Sequence, residues 1–163
     1  MTSLLWLTTL IACDTADQSF STQSQDIYAD GGFAGLSWSP NELVFEELTE
    51  GITYSLEINI VSTGDNTLKI DKVDITNSDD GIFYIDTSAT EDIYLDPEVD
   101  RDFIVIAQTQ TSGVFLGEAR IKSNDSENRD VRIPLCGFPV DYEGELSCSS
   151  LMEETNMDTG TNE

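Results

Sequence analysis

Hydrophobic and polar residues alternate along much of the chain between residues 41 and 135, as they do in strands that bury one face. In the clearest example, which runs from residue 52 to residue 60, the apolar face consists of Ile52, Tyr54, Leu56, Ile58 and Ile60. The intervening Ser55, Glu57 and Asn59 would then face solvent. This run predicts a long strand with one buried face.

Other apolar runs are separated by clusters of Asn, Asp, Ser and Gly, which are typical of turns. They predict strands over residues 41–47, 68–75, 82–86, 92–95, 103–107, 115–121 and 131–135. The apolar positions change phase between Ile70 and Val73, which predicts a β-bulge. Seven to eight strands with turns between them predict an all-β fold, a single immunoglobulin-like antiparallel β-sandwich over residues 36–140.

The segments on either side of this domain have a different character. Residues 1–12 contain a short apolar run of the kind found in export signals, too short to cross a membrane as a helix. Residues 13–35 are polar and rich in Ser, Thr and Gln, which predicts a flexible tether. Residues 141–163 are acidic and polar, and we expect this tail to be largely disordered beyond Cys148.

The end of the apolar run, Leu10-Ile11-Ala12-Cys13, resembles a bacterial lipobox. The resemblance implies a signal peptide over residues 1–12 and a diacylglyceryl group on the thiol of Cys13. It therefore implies a lipoprotein of the bacterial cell envelope, held by its lipid at the inner or outer membrane and facing the periplasm or the surface. The alternative is a buried Cys13 in an ordinary N-terminal strand, but a run that stops at the cysteine favours the leader.

Two pairs of motifs mark the beginning and the end of the predicted domain. The first pair is Pro40-x-x-Leu43-x-Phe45 and Gly64-x-x-x-Leu68-x-Ile70, and the second is Gly117-x-x-x-Ile121-x-Ser123-Asn124-Asp125 and Val131-x-Ile133-Pro134-Leu135-x-Gly137. Together they resemble the Hydin/abnormal-spindle type of immunoglobulin-like domain, whose bacterial relative is the choice-of-anchor D domain. The resemblance spans about residues 38–137 and implies a binding or scaffolding module without shared catalytic residues.

The charge of the chain excludes several classes of function. There are 32 Asp and Glu residues against 7 Lys and Arg, and the formal net charge is −25. Such a surface repels nucleic-acid phosphates and anionic lipid headgroups, so we expect no nucleic-acid partner. The chain also has no His, which removes the usual base of a serine-hydrolase triad and the commonest zinc ligand. Neither enzymatic activity nor a cofactor is expected.

Two acidic turns leave calcium binding as an alternative, because carboxylate oxygens are the ligands that Ca²⁺ prefers. The candidate ligands are Asp74, Asp79, Asp80, Asp96, Asp100 and Asp102. An EF-hand loop is excluded, since placing Gly81 at its sixth position puts Thr76 first and Thr87 twelfth, where Asp and Glu are required. Ordinary solvated turns are the favoured interpretation.

Two cysteines remain once Cys13 carries a lipid. Cys136 and Cys148 would be an even pair in an oxidising compartment, and Gly137, Pro139 and Gly144 between them favour a reversing chain. We therefore expect a Cys136–Cys148 disulfide that holds the acidic tail against the last strand. Two free thiols are the alternative.

These features predict a non-catalytic, lipid-anchored interaction or spacer module. Its partners would be the membrane, through the lipid on Cys13, and an envelope protein or a cell-wall polymer. The alternative is a calcium- or carbohydrate-binding surface protein. Trp38 bears on this choice, because it either closes one end of the sandwich or is exposed for carbohydrate or protein contact.

The excess of acidic residues predicts a salt-dependent stability. Repulsion among the carboxylates opposes folding when ionic strength is low. The screening length shortens from about 30 Å at 0.01 M to about 8 Å at 0.15 M salt, which weakens that repulsion. The isolated domain, residues 36–150, should therefore melt at a higher temperature in about 0.5 M than in about 0.01 M NaCl, with a similar gain in KCl. A far larger gain from millimolar calcium at matched ionic strength would instead support a calcium site, and a melting temperature independent of salt would contradict the unpaired acidic surface.

Overall fold

The computed structural model describes residues 32–86, 90–148 and 151, and within them the chain forms nine strands. The strands are β1 (Leu36–Ser39), β2 (Leu43–Leu48), β3 (Thr53–Ser62), β4 (Leu68–Thr76), β5 (Phe83–Ile85), β6 (Glu91–Leu95), β7 (Asp100–Gln108), β8 (Phe115–Ser123) and β9 (Asp130–Pro139). A single 3₁₀ turn, Asp79–Gly81, precedes β5 in this described part.

The strands form two sheets that pack face to face. The four-stranded sheet has the order β1-β3-β7-β5, and the five-stranded sheet has the order β2-β9-β8-β4-β6. The predicted fold class is therefore confirmed: the chain is an all-β, immunoglobulin-like sandwich. The predicted bulge is also present, because the pairing of β4 with β8 shifts register between Ile70 and Lys72.

The structure differs from the expected all-antiparallel sandwich in one pairing and one additional strand. Strand β2 runs parallel to β9, with Leu43 opposite Leu135, so the five-stranded sheet is mixed. Strand β1 was not predicted, and it belongs to the other sheet, paired with β3. The chain thus changes sheets between Ser39 and Leu43, and the alternation that predicts a strand carries no information on the direction of its neighbour.

The main core consists of the inward-facing residues of both sheets. In β3, Ile58 and Ile60 are fully buried, whereas Ile52 lies before the strand and is 50% exposed. In β8, Phe115, Gly117, Ala119 and Ile121 all face inward, as their spacing predicts. Gly117 is required there, because a Cβ atom would lie 2.9 Å from the ring of Phe83.

A second, smaller apolar cluster lies on the outer face of the five-stranded sheet. It contains Cys136, Phe138 and Cys148, with Val44, Leu116, Tyr142 and Leu151 packed against them. Cys136 and Cys148 form a disulfide, and the rings of Phe138 and Tyr142 are 4.6 Å apart between centroids. The backbone amide of Cys148 also donates to the carboxylate of Glu42 at 3.0 Å. Residues 140–148 therefore cover β9 from outside.

The folded part begins before β1. The amide of Thr63 donates to the carbonyl of Gly35, and the amide of Asp65 donates to the carbonyl of Phe33. This close approach needs a glycine at position 64, since a Cβ atom there would lie 2.1 Å from the carbonyl oxygen of Phe33. Residues 32–35, which the sequence assigned to the end of the tether, are thus attached to the domain.

The disulfide should make a measurable contribution to stability. The twelve-residue separation of Cys136 and Cys148 closes a short loop, and such a crosslink contributes roughly 2–3 kcal/mol by restricting the unfolded chain. Replacing both cysteines with Ala should lower the free energy of unfolding by about that amount in urea titrations. Reductant should produce a similar loss in the wild type and none in the double variant. Complete alkylation of both cysteines without reductant would contradict the crosslink.

Candidate interaction surface

The acidic residues considered as calcium ligands are distributed over several elements. Asp74 lies on β4 and its carboxylate is 3.1 Å from the ammonium of Lys72. Asp79, in the 3₁₀ turn, accepts a hydrogen bond from the amide of Leu116 at 2.9 Å. Asp80 follows it in the turn, and its side chain lies outside the described part of the chain. The carboxylates of Asp74 and Asp79 thus bind separate protein donors.

The second acidic turn is also engaged with neighbouring side chains. Asp96 accepts a hydrogen bond from the hydroxyl of Thr67 at 3.3 Å. The side-chain amide of Asn59 donates to the carboxylates of Asp100 at 3.1 Å and Asp102 at 2.7 Å. Among the described residues, no three Cys, Asp or Glu side chains are grouped so that they could hold a metal ion.

Of the remaining predicted residues, Cys13 lies outside the described residues, whereas Cys136 and Cys148 are brought together as a disulfide. Trp38, on β1, is partly buried and packs against the main core. Across residues 32–86, 90–148 and 151, no helix is long and apolar enough to cross a membrane.

The positive charges of the chain are concentrated on the outer face of the five-stranded sheet. Five of the seven basic residues lie on its strands, namely Lys69, Lys72, Arg120, Lys122 and Arg132. Carboxylates lie beside them: Asp71 and Asp92 are 2.7 and 3.0 Å from the Lys69 ammonium, and Glu118 is 3.1 Å from the Arg132 guanidinium. Four of these five cations, all except Lys122, are therefore shown in ion pairs with carboxylates of the same face.

The pair formed by Arg120 and Asp130 is the best-formed contact on this face. The guanidinium donates to both carboxylate oxygens, with a distance of 2.7 Å from Nε to Oδ1. These hydrogen bonds lower the pKa of Asp130 and raise the pKa of Arg120. Both groups are exposed to solvent, so the pair organises the surface more than it stabilises the fold.

The outer face of the four-stranded sheet is different, because it exposes apolar side chains that lie next to one another. Tyr84 on β5 is 42% exposed and Ile104 on β7 is 38% exposed. Tyr84 is paired directly with Ile106, which is partly buried and lies two positions after Ile104 on the same face. Tyr84, Ile104 and Ile106 are thus neighbours, and we call them the Tyr84 patch.

Acidic residues flank the Tyr84 patch where Ile104 lies. Glu57 on β3 is opposite Ile104, and Asp102 is two positions before it on β7. The amide of Asp86 donates to the carbonyl of Ile104 at 3.0 Å, so the β5–β7 pairing continues and Asp86 lies opposite Ile104 on the other side. Directly opposed side chains in a sheet are about 5 Å apart, which makes these carboxylates a rim around the apolar centre.

A cleft of about 420 Å³ lies at one end of the sandwich, between the segment before β1 and the loop after β8. Its lining includes Phe33, Leu36 and Asp125. Asp125 is buried and accepts hydrogen bonds from the amides of Leu36 and Glu127, each at 2.8 Å, and from the side chain of Asn128 at 3.0 Å. This residue connects the two segments, as a turn-capping Asp can.

Burial and hydrogen bonding act in opposite directions on the carboxyl group of Asp125. Desolvation by itself raises the pKa, but the hydrogen bonds from Glu127, Asn128 and Leu36 stabilise the carboxylate and hold its pKa below the ordinary value of 3.8. Asp125 thus stays ionised near neutral pH, and its oxygens are used by the protein itself.

The Tyr84 patch was not predicted from the sequence. The run Phe103–Ala107 is apolar at every position, so its sequence does not distinguish the buried face from the exposed one. In the structure Phe103, Val105 and Ala107 are buried and Ile104 is exposed. The one available signal was the polar residue opposite, since Glu57 belongs to the solvent face of a strand that pairs with this run. Strand pairing is not visible in a single sequence.

Comparisons with known proteins show the fold of this chain. No protein-family model and no curated protein matches the sequence. Among solved structures, the seventh PapD-like domain of human CEP192, an ASH / PapD-like domain, is 10% identical, with a TM-score of 0.51, over 68% of this chain and 89% of that one. The periplasmic chaperone SfaE is 13% identical, with a TM-score of 0.51, over 68% of this chain and 60% of that one.

A third similar structure contains a bound partner. It is the CsuC–CsuE complex of Acinetobacter baumannii, in which a chaperone is bound to a tip adhesion subunit. The similar chain of that complex is 9% identical, with a TM-score of 0.50, over 75% of this chain and 60% of that chain. This chain thus spans less than two thirds of that chain and of SfaE. At such low identities the likeness is one of architecture: the chain shares an immunoglobulin-like β-sandwich with these structures.

The hydrogen bonds of Asp125 predict the outcome of an isosteric substitution. In Asp125→Asn the amide group would face donors that now bind a carboxylate oxygen, so the free energy of unfolding should fall by about 2–3 kcal/mol at neutral pH. The control is Asp141→Asn, which makes the same charge change at an exposed position. It should alter the free energy of unfolding by less than about 0.5 kcal/mol.

The pH dependence follows from the lowered pKa of Asp125. The Asp125 carboxylate contributes fully to the free energy of unfolding above the ordinary pKa of an Asp. That contribution is lost as the pH falls through the lower pKa that Asp125 has in the folded state. The difference in unfolding free energy between the wild type and Asp125→Asn should therefore shrink as the pH falls from about 5 to below about 3. A difference that stays constant over that range would contradict the ionised, hydrogen-bonded carboxylate.

Proposed function

We propose that this chain is a non-catalytic protein-interaction module of the bacterial cell envelope, anchored by a lipid on Cys13. The observation that carries the interaction role is the Tyr84 patch, because it exposes adjacent apolar side chains within an acidic rim on an otherwise self-contained sandwich. Contiguous apolar groups with a polar rim are characteristic of protein contact sites. In this proposal the contact surface for the partner is the Tyr84 patch on the rigid four-stranded sheet.

Two further observations support the interaction role. The outer face of the five-stranded sheet is already occupied, in part by its own ion pairs and in part by the disulfide-linked tail, which leaves the four-stranded sheet as the open face. The sandwich also resembles CsuC–CsuE, a chaperone in complex with a pilus tip subunit. A protein partner therefore fits this architecture.

The lipid anchor and the envelope location rest on the sequence. The motif at residues 10–13 supports lipidation of Cys13, and the acidic, His-free composition supports a role without catalysis. The resemblance to Hydin-type and choice-of-anchor D domains points in the same direction, since these are scaffolding modules. In this proposal residues 13–31 connect the membrane to the domain, and the described part of the chain makes the contacts.

The anchor is tested by membrane fractionation of bacterial cells that produce the chain. Wild-type protein should appear in the membrane fraction, and Cys13→Ser should move it to the soluble fraction or leave it unprocessed, because the thioether lipid can no longer form. A variant with Cys136 and Cys148 both changed to Ser is the matched control, and it should stay in the membrane fraction. Mass spectrometry that finds Met1 intact or Cys13 unmodified in mature protein would contradict the anchor.

A further inference from the structure

We infer that the Tyr84 patch binds a cationic partner protein. In this arrangement the partner places an apolar side chain against Tyr84, Ile104 and Ile106, and it places Lys or Arg residues against Glu57, Asp86 and Asp102. The inference rests on the proposed interaction role, because it assigns that role a surface and a class of partner.

The apolar part of the surface is created by strand pairing. Single exposed hydrophobic residues are ordinary on protein surfaces, but Tyr84 and Ile106 are direct cross-strand partners and Ile104 is next to Ile106 on the same face. All three are attached to strands whose other faces are in the main core, with Phe83, Ile85, Val105 and Ala107 buried beneath them. The patch is therefore rigid, and a partner needs to order little of this chain to bind.

The acidic rim determines the charge of the partner. Glu57 and Asp86 lie on opposite sides of Ile104, and Asp102 lies beyond it along β7. An anionic or neutral partner would have to desolvate these carboxylates without supplying a compensating charge, which is costly. A partner with Lys or Arg at its own rim would compensate them and would also be attracted from a distance by the net charge of −25.

The chain itself offers no comparable occupant. Residues 1–31 and 152–163, which lie outside the described part, contain no Lys or Arg. A second copy would add another net charge of −25, and four of the five basic residues on the five-stranded sheet are already paired with neighbouring carboxylates. Charge complementarity therefore favours a different protein over self-association.

The surface is tested with labelled peptides and the full lipidated chain in a non-ionic detergent. The probe is a peptide of alternating Lys and Val, followed by fluorescence anisotropy, and the two matched peptides alternate Lys with Ser and Glu with Val. The Lys–Val peptide should bind, the Lys–Ser peptide should bind about tenfold more weakly, and the Glu–Val peptide should not bind. Equal binding of the Lys–Val and Lys–Ser peptides would show diffuse attraction to an acidic surface and would overturn the inference.

Matched variants localise the binding site. Combined replacement of Tyr84 and Ile104 by Thr, a residue that strands favour, should weaken binding of the Lys–Val peptide by about tenfold or more. The control is Tyr94→Thr, since Tyr94 is 65% exposed on β6 of the other sheet, and it should bind as the wild type does. Equal melting temperatures of the three proteins would show that the fold is preserved. An equal loss in the control would overturn the assignment to the Tyr84 patch.

Charge reversal tests the rim. Glu57→Lys should weaken binding of the Lys–Val peptide, and Glu46→Lys, the same charge change at an exposed position of β2, should have a much smaller effect. The difference between the two variants should shrink in high salt, because screening weakens the attraction. Identical effects of the two variants would mean that only the net charge matters, which would contradict a specific rim.

Cross-linking in intact cells separates this inference from the proposed function. A photoreactive residue at position 84 should form an adduct with a protein that carries a Lys- or Arg-rich segment at the cross-linked site, and one at position 94 should not. An adduct only from position 94, or one with a segment free of Lys and Arg, would overturn this inference and leave the interaction role intact. Adducts from neither position nor from added chemical cross-linkers would contradict both.

Discussion

A layer of apolar side chains joins the two sheets, and it has to hold together a chain with 32 acidic and 7 basic residues. Hydrophobic burial is insensitive to charge, whereas repulsion among unpaired carboxylates grows as the chain becomes compact. The domain meets this conflict by keeping nearly all carboxylates at the surface. Among the residues that the structure describes, the buried Asp125 is the exception, and three hydrogen bonds compensate for its burial. Five of the seven cations are collected where β4, β8 and β9 lie side by side, so that four of them form ion pairs on one face of the sandwich.

Regular alternation made much of the fold predictable. The buried faces of β3 and β8 could be identified residue by residue, and the phase change after Ile70 located the bulge. What escaped prediction were relations between strands: the four-residue β1 and the parallel pairing of β2 with β9. Short strands contain too few positions to show a period, and direction depends on where the chain crosses from one sheet to the other. The continuous run Leu135–Phe138 is buried on both faces, which strict alternation does not anticipate.

The candidate sites also differ in whether they depend on local sequence or on the pairing of strands. The cysteine pair could be inferred from number, spacing and intervening turn residues, because these are local properties of the sequence. The acidic turns were also visible, but whether Asp74, Asp96 and Asp100 converge depends on the arrangement of the strands, and they lie on separate elements. The Tyr84 patch is the opposite case, since its three members come from two strands and become a surface only through register.

The order of strands in the four-stranded sheet has a mechanical consequence. The described chain enters the sheet at β1, and the Tyr84 patch lies on β5 and β7, on the opposite side of the same sheet. Any pull between a fixed N-terminus and a bound partner would therefore cross β3 and β7 at right angles to the strands and bypass the five-stranded sheet. The outer strands have 4 and 3 residues, against 10 and 9 for the two between them. Tension would thus detach the edges first and leave the central pair, and the core beneath it, in place.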